Sequence, residues 1–396
     1  MASVANPQRS SRNLFAFGAT SFLNDTASEM AYWVLPAFLV SIGAGPAQLG
    51  VIEGIAESVA SFAKLFSGYI ADRVRHRKPV VVGGYFVANA VKPLLALANS
   101  WGHVLGIRFA DRFAKGIRGT TRDVMLADSV PRSRLGSAFG LLQAMDSAGA
   151  IAGPLLALLL LPHYGLRGVF WFAAIPGALC VAAASFGIRD VRREHAAADN
   201  QPTPAPSPHF PGKFYFVLLA VTLFSLGNSS DMFLVLRAQS VGIPATHAPL
   251  LGLVFNITYT VFSWPAGGLS DRFSRRILAA AGYLVFAAVY FTFAIAPSIV
   301  AIWFAMAFYG LFYSLTEPVL KALVVEVVAP ESRGRALGIY AFITSVAILL
   351  ASLITGELWK HYGPRVPFYL SAGIAFASAT LLLISRATET FKPQTV

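Results

Sequence analysis

The segment Gly68–Lys78 reads GYIADRVRHRK, and Gly267–Arg276 reads GGLSDRFSRR. Gly68, Asp72 and Arg73 recur as Gly267, Asp271 and Arg272, 199 residues on, and each segment closes on a basic cluster. The same offset carries Ser41 and Gly43 onto Ser240 and Gly242, and Pro131, Ser133 and Arg134 onto Pro330, Ser332 and Arg333. Three landmarks at one spacing mean a duplicated unit, so the chain is read as two copies of one architecture.

Between the landmarks the chain is apolar. Of its 396 residues 56% are hydrophobic and 13% charged, against about 25% charged in an average soluble domain. A membrane-spanning helix needs about 20 mostly apolar residues. Such runs fall at 14–40, 48–71, 79–98, 102–125, 135–160 and 167–187, and again at 214–238, 248–269, 277–296, 299–320, 335–357 and 366–385. The expected fold is therefore an all-α polytopic membrane protein of twelve transmembrane helices in two pseudo-symmetric six-helix bundles. Lys and Arg crowd the loops after the second, fourth, eighth and tenth runs (73–78, 132–134, 272–276 and 333–335). By the positive-inside rule these loops and both termini are cytoplasmic. Residues 1–187 form the first bundle and 213–396 the second. Between them, 188–212 carries five prolines and reads as a cytoplasmic linker.

The formal net charge of +12 does not mark a nucleic-acid binder, because the basic residues sit in short loops between apolar runs, as topology signals do. No phosphate loop, metal-ligand cluster or catalytic triad is legible, so neither an enzyme nor a bound cofactor or metal is expected. Cys180 is the single cysteine, which excludes an internal disulfide. The first run, from Leu14, is interrupted by Asn24, Asp25 and Glu29 and is too long for a cleavable signal.

With these residues in view, the chain resembles the major facilitator superfamily over essentially its whole length. The superfamily's loop signature, roughly G-x-x-x-D-R-x-x-x-[RK]-[RK], is matched by Gly68, Asp72, Arg73, Arg77 and Lys78, and again by Gly267, Asp271, Arg272, Arg275 and Arg276 with a tail one residue shorter. Gly149, Gly153 and Pro154 form G-x-x-x-G-P, which resembles the exporter and antiporter branch. Small residues at this spacing also let helices pack closely. Residues 111–123 resemble a bacterial subgroup with D-R-x-x-K-G-x-R-x-x-x-R-D. They depart from the drug–proton antiporter pattern R-x-x-Q-G-x-G, with Lys115 in place of Gln and Arg118 in place of the second Gly.

Charge at bilayer depth is costly, roughly 2.5–3.5 kcal/mol per Arg, Lys or Asp at a helix centre. The first run holds Asp25 and Glu29 one turn apart, and the fourth aligns Arg108, Arg112, Lys115 and Arg122 on one stripe. At about 1.5 Å per residue these acids and bases reach similar depths. A network among Asp25, Glu29, Arg108, Arg112 and Lys115 would offset their desolvation. In the resembled fold the first, fourth, seventh and tenth helices line a central cavity. Asn24, Asn228, Arg108, Arg112 and Lys115 are then the candidate substrate contacts, and Glu29, Asp25 and Asp231 the candidate proton-coupling acids. A carboxylate beside an arginine holds its charge, while a desolvated one lacking a partner takes up a proton. Gly68, Asp72, Arg73, Asp271, Arg272, Arg122, Glu317 and Lys321 are the candidate gate; Arg122 and Lys321 are themselves 199 apart. Tyr32, Trp33, Tyr259, Phe308, Tyr309 and Tyr313 are candidate lining aromatics.

The expected function is secondary transport by alternating access: proton-coupled export, by antiport, of a small anionic or zwitterionic metabolite or drug. The cationic stripe carries the preference for an anion. No ATP-binding motif is legible, so an ion gradient, of protons, supplies the energy. Proton-symport import of an organic acid or metal chelate is the alternative, and a non-transporting receptor or scaffold of the same fold is the alternative of another class. The expected setting is the bacterial inner membrane, with a monomer contacting lipid and a small-molecule substrate.

Overall fold

A computed structural model describes residues 7–44, 46–190, 209–244, 248–295 and 298–384. They form the helices α1 (Pro7–Ser41), α2 (Pro46–Arg73), α3 (Lys78–Val91), α4 (Trp101–Ser129), α5 (Leu135–Phe172), α6 (Ala174–Ala182) and α7 (Gly212–Ser225). These are followed by α8 (Met232–Ser240), α9 (Ala248–Arg272), α10 (Arg275–Ile295), α11 (Ile299–Val327), α12 (Arg333–Tyr362) and α13 (Val366–Ile384). No strand occurs among the described residues. Most of the expected linker, 191–208, and both chain ends lie outside them.

Six helical stretches, Lys78–Leu97, Arg132–Gly187, Arg275–Ile295, Ile299–Val327, Pro330–Tyr362 and Val366–Ile384, are long and apolar enough to cross a membrane. Equally long α4 is kept out of that set by its charges. Large apolar side chains point outward along these helices, among them Phe186 at 81% exposure, Leu159 at 69% and Leu158 at 68%. Such a surface is at home in lipid, where helices satisfy their own backbone hydrogen bonds. The chain is a multi-pass membrane protein.

The run expected at 214–238 is not one helix. It breaks between α7 and α8 over Leu226–Asp231, reading LGNSSD. Gly, Asn, Ser and Asp favour local turns over helix interiors. Here Gly227 N–H donates to Phe224 O at 2.8 Å and Ser230 N–H to Ser352 Oγ on α12 at 3.0 Å. A second interruption lies in α5 at Gly165, whose φ of 65° turns the helix. The repeated Ser41-x-Gly43 and Ser240-x-Gly242 become matching helix ends. Gly43 and Gly242 take φ of 80° and 108°, and the following residues close the same turn, Ala44 N–H to Leu39 O at 2.9 Å and Ile243 N–H to Ala238 O at 3.1 Å.

Two crossings join the sequence halves at the end bearing the basic loops. Gly68 on α2 lies on Gly334 and Gly338 of α12, and Gly267 on α9 lies on Gly136 and Gly140 of α5. A methyl group on Gly68 would overlap the Gly334 carbonyl, and one on Gly267 the Gly136 carbonyl. The other predicted packing motif joins α5 to α1. A Cβ on Gly149 would stand 2.6 Å from Phe22 O, and one on Gly153 2.7 Å from Glu29 Cβ. G-x-x-x-G-P is thus seated on the two acid-bearing turns of α1, with Pro154 inside α5.

Candidate functional site

The basic end is closed by carboxylates placed on helix N-termini. Asp72 accepts hydrogen bonds from the backbone N–H groups of Gly334 and Arg335, both at 2.8 Å. Asp271 accepts from those of Gly136 at 2.7 Å and Ser137 at 2.8 Å. These donors have no partner within their own helices, and the helix dipole adds attraction for negative charge. Each aspartate therefore clips its own half of the chain to the opposite half. Around them, Arg77 donates to Asp128 at 2.6 Å, and Arg333 from the other half shares that carboxylate. Arg275 bridges Glu326 at 2.6 Å and Asp271 at 3.0 Å. The predicted gate arginines Arg73 and Arg272 are exposed; the buried ones at this end are Arg77, Arg275 and Arg333.

Above this closure runs a chain of ion pairs. Arg122 contacts Asp123 at 3.0 Å and Asp146 at 3.6 Å, and donates to Ser21 Oγ at 3.0 Å. Lys321 lies 3.6 Å from that same Asp123 and 3.2 Å from Glu317. Tyr259 donates to Glu317 at 2.6 Å. The two cations 199 residues apart thus share one carboxylate across the halves of the chain. Three acids and two bases hold one another, which offsets the desolvation that each charge would suffer alone.

This layer floors a cavity of about 480 Å³ between the halves, a volume within the range of small-molecule sites. On the first-half wall stand Asp25, Lys64, Lys115, Arg118 and Asp146; on the second-half wall stand Phe224, Asn228, Tyr283, Phe312, Tyr313 and Tyr340. Asp25 accepts from the Asn24 amide at 2.8 Å. Asn228 is buried, and its Oδ1 has no hydrogen-bond partner among the described residues. Arg118 is 4% exposed, with its guanidinium 4.4 Å from the centre of the Tyr85 ring.

Some predicted residues face elsewhere. Arg108 pairs with Glu53 of α2 at 2.7 Å and lies 3.7 Å from Asp111, so its carboxylates come from α2 and α4, not from α1. Asn24 turns toward α3, where Asn89 donates to it at 3.3 Å and Lys92 donates to Asn89 at 2.9 Å. Glu29 is half-buried against Gly153, and Arg112 is half-buried on α4. Asp231 sits at the break before α8 and accepts from Tyr309 at 2.7 Å. Lys115, Asp25, Asn228, Arg122, Glu317 and Lys321 do meet at the one cavity.

Sequence reasoning passed over Asp123 and Asp128 as bridging acids, Arg118 as a cavity residue, and the glycines facing Gly68 and Gly267. The last had a signal. Gly136-x-x-x-Gly140 and Gly334-x-x-x-Gly338 repeat at an offset of 198, one residue short of the landmark spacing.

The family model of the Major Facilitator Superfamily matches residues 17–236 and 215–395. An uncharacterized MFS-type transporter of Methanocaldococcus jannaschii is 34% identical over 391 residues, 96% of each chain. Multidrug resistance protein MdtL of Escherichia coli is 25% identical over 297 residues, 73% of this chain and 74% of that protein. The crystal structure of the human organic anion transporter MFSD10 superimposes with a TM-score of 0.79 at 14% identity, covering 94% of this chain and 99% of that one. That likeness is one of fold.

Proposed function

The chain belongs to the Major Facilitator Superfamily, and on that premise we propose that it exports a small anionic or zwitterionic solute by alternating access in exchange for protons. It is a transporter and not an enzyme. In this reading twelve spans form two six-helix bundles about the cavity, with both termini and the basic loops cytoplasmic. The protein works as a monomer in a bacterial inner membrane. The observation that carries the proposal is the pair of closures stacked beneath the cavity. Glycine crossings capped by Asp72 and Asp271 lie below, and the ion chain from Asp146 to Glu317 lies above them. With the basic loops inside, that is a cavity shut toward the cytoplasm.

Interfaces of this kind have discrete arrangements, so solute or proton binding biases one against the other. Asp25 is the preferred coupling acid, because it lines the cavity with an amide rather than a cation against it. Glu29, one turn along and under Gly153, and Asp231, at the helix break, are the further candidates. The broken α7–α8 segment supplies a flexing element on the second-half wall. Export is supported by G-x-x-x-G-P on the acid-bearing face of α1, and by the multidrug resistance relative.

Exposed Val74 and Phe273 stand 199 residues apart in the two basic loops. Spin labels at Val74→Cys and Phe273→Cys should report two spacings in lipid, with acidification changing their proportions. One spacing under every condition overturns alternating access. Asp25→Asn should keep both spacings and lose the response to pH, together with proton flux in proteoliposomes. An unchanged pH response removes Asp25 from the coupling.

A further inference from the structure

We infer that Arg118 is the anchor for the acidic group of the transported solute, and that the solute is an organic anion with an aromatic body. This deepens the transporter reading and rests on it.

The buried cations of this molecule are almost all provided for. Arg77 and Arg333 share Asp128, Arg108 has Glu53, Lys92 has Asn89 and Asp111, Arg275 has Glu326, and Arg237 donates to two backbone carbonyls. Arg118 differs. Among the described residues it makes no hydrogen bond and no ion pair, and its Nη1 is sealed from solvent without an acceptor. Its guanidinium rests on the face of Tyr85, itself fully buried. A ring face attracts the cation but accepts none of the five guanidinium N–H donors in the way an oxygen does. The position is built rather than incidental. Gly84 on α3 gives room for the Arg118 side chain to leave its helix, since a Cβ there would stand 2.6 Å from Arg118 Cβ.

Lys115 lies three residues earlier on α4, lines the same cavity, and likewise makes no ion pair among the described residues. The lining acids are in the opposite condition. Asp123, Asp146 and Glu317 are held by Arg122 and Lys321, and Asp25 has the Asn24 amide. A cationic solute would find one uncommitted carboxylate, whereas an anion finds two uncommitted cations. The planar fork of an arginine matches a carboxylate or related oxyanion through two parallel hydrogen bonds. Facing this wall, Tyr313 is half-buried, backed by the buried rings of Phe312 at 4.8 Å and of Phe224, itself stacked on Tyr283 at 3.9 Å. One wall recognises charge and the other recognises a flat apolar body.

The test uses the full chain in lipid nanodiscs, with 1-naphthoate, uncharged 1-naphthamide and ringless acetate as probes. Naphthoate should bind wild type at least about tenfold more tightly than either other probe, the scale of one charge-assisted hydrogen bond. Arg118→Gln should lower naphthoate affinity by about tenfold or more and leave naphthamide binding unchanged. Arg118→Lys, which keeps the charge and loses the fork, should fall between, and it decides the matter if the Gln variant does not fold. Equal naphthoate binding by wild type and the folded variants overturns the anchor. Equal binding of naphthoate and naphthamide, or none of either, overturns the solute class. The doubly labelled protein is measured in parallel. Two spacings with no naphthoate binding sink this inference alone, while a single spacing sinks the transporter reading as well.

Discussion

Helices α4 and α11 hold equivalent places in the repeat, and they build opposite walls. At the offset of 199, Arg122 corresponds to Lys321, so a cation is kept; Arg118 corresponds to Glu317, so the sign is reversed; Lys115 corresponds to Ser314, and Asp123 to Ala322. α4 presents charge, while α11 presents Tyr309, Phe312 and Tyr313 between few charges. At the basic end the halves agree in detail, with a glycine on a glycine and an aspartate on a helix N-terminus in both crossings. The closure is symmetric and the cavity above it is not. In the proposed transport cycle, a closure that shuts and opens along one axis tolerates little divergence. A binding site for a solute without that symmetry gains from unlike walls.

The largest expected effect is at the shared carboxylate, where the two cations are unequal. Arg122 holds Asp123, Asp146 and Ser21, whereas Glu317 keeps Tyr259 and Asp123 keeps Arg122 when Lys321 is lost. Arg122→Gln should therefore lower the unfolding free energy by about 3–5 kcal/mol, the cost of stranding buried charge. Lys321→Gln should cost distinctly less, as denaturation of the two variants in one detergent will show. Equal losses would mean that the walls share the ion chain evenly.

At the glycine crossings the halves should behave alike. Gly68→Val and Gly267→Val each force a side chain into a backbone carbonyl, an overpacking worth about 1–3 kcal/mol. Each should shift the Val74–Phe273 label pair toward its longer spacing to a similar extent. A response to one substitution and not the other would make the closure asymmetric after all. An effect no larger is expected at the caps. Asp72→Asn and Asp271→Asn keep one acceptor oxygen but turn an amide NH2 toward the second backbone N–H, so each loses the charge and one hydrogen bond, about 1–3 kcal/mol. The two caps should respond alike, since each carboxylate accepts two backbone N–H groups and lies beside an arginine, Arg335 for Asp72 and Arg275 for Asp271. The proportion of the longer spacing measures both.

Much of the helical framework was legible because apolar runs and basic loops answer to the bilayer, which acts on each segment separately. The break at Leu226–Asp231 was written in plain residues, and only the surrounding apolar count hid it. The candidate site was legible in kind more than in place. That α4 faces a polar space followed from its charges, yet which of its arginines reaches that space did not. Arg108, a candidate substrate contact, is occupied by Glu53, and Arg118, outside the candidate set, lines the cavity. Residues three or four apart share a helix face, but which residue on that face meets a carboxylate depends on the neighbouring helix.

The sequence by itself determined the duplication, the helical runs, the basic loops and the glycine and aspartate landmarks. Each of these is a local property: hydrophobic length, loop charge, the need for a residue without a side chain. Only the tertiary structure decided that Asp72 and Asp271 cap helices of the opposite half, that Arg122 and Lys321 share Asp123, and that Arg118 stands against Tyr85 with no carboxylate among the described residues. Partnership between charges depends on separations of 3–4 Å between helices far apart in the chain, and no spacing along one helix encodes that distance.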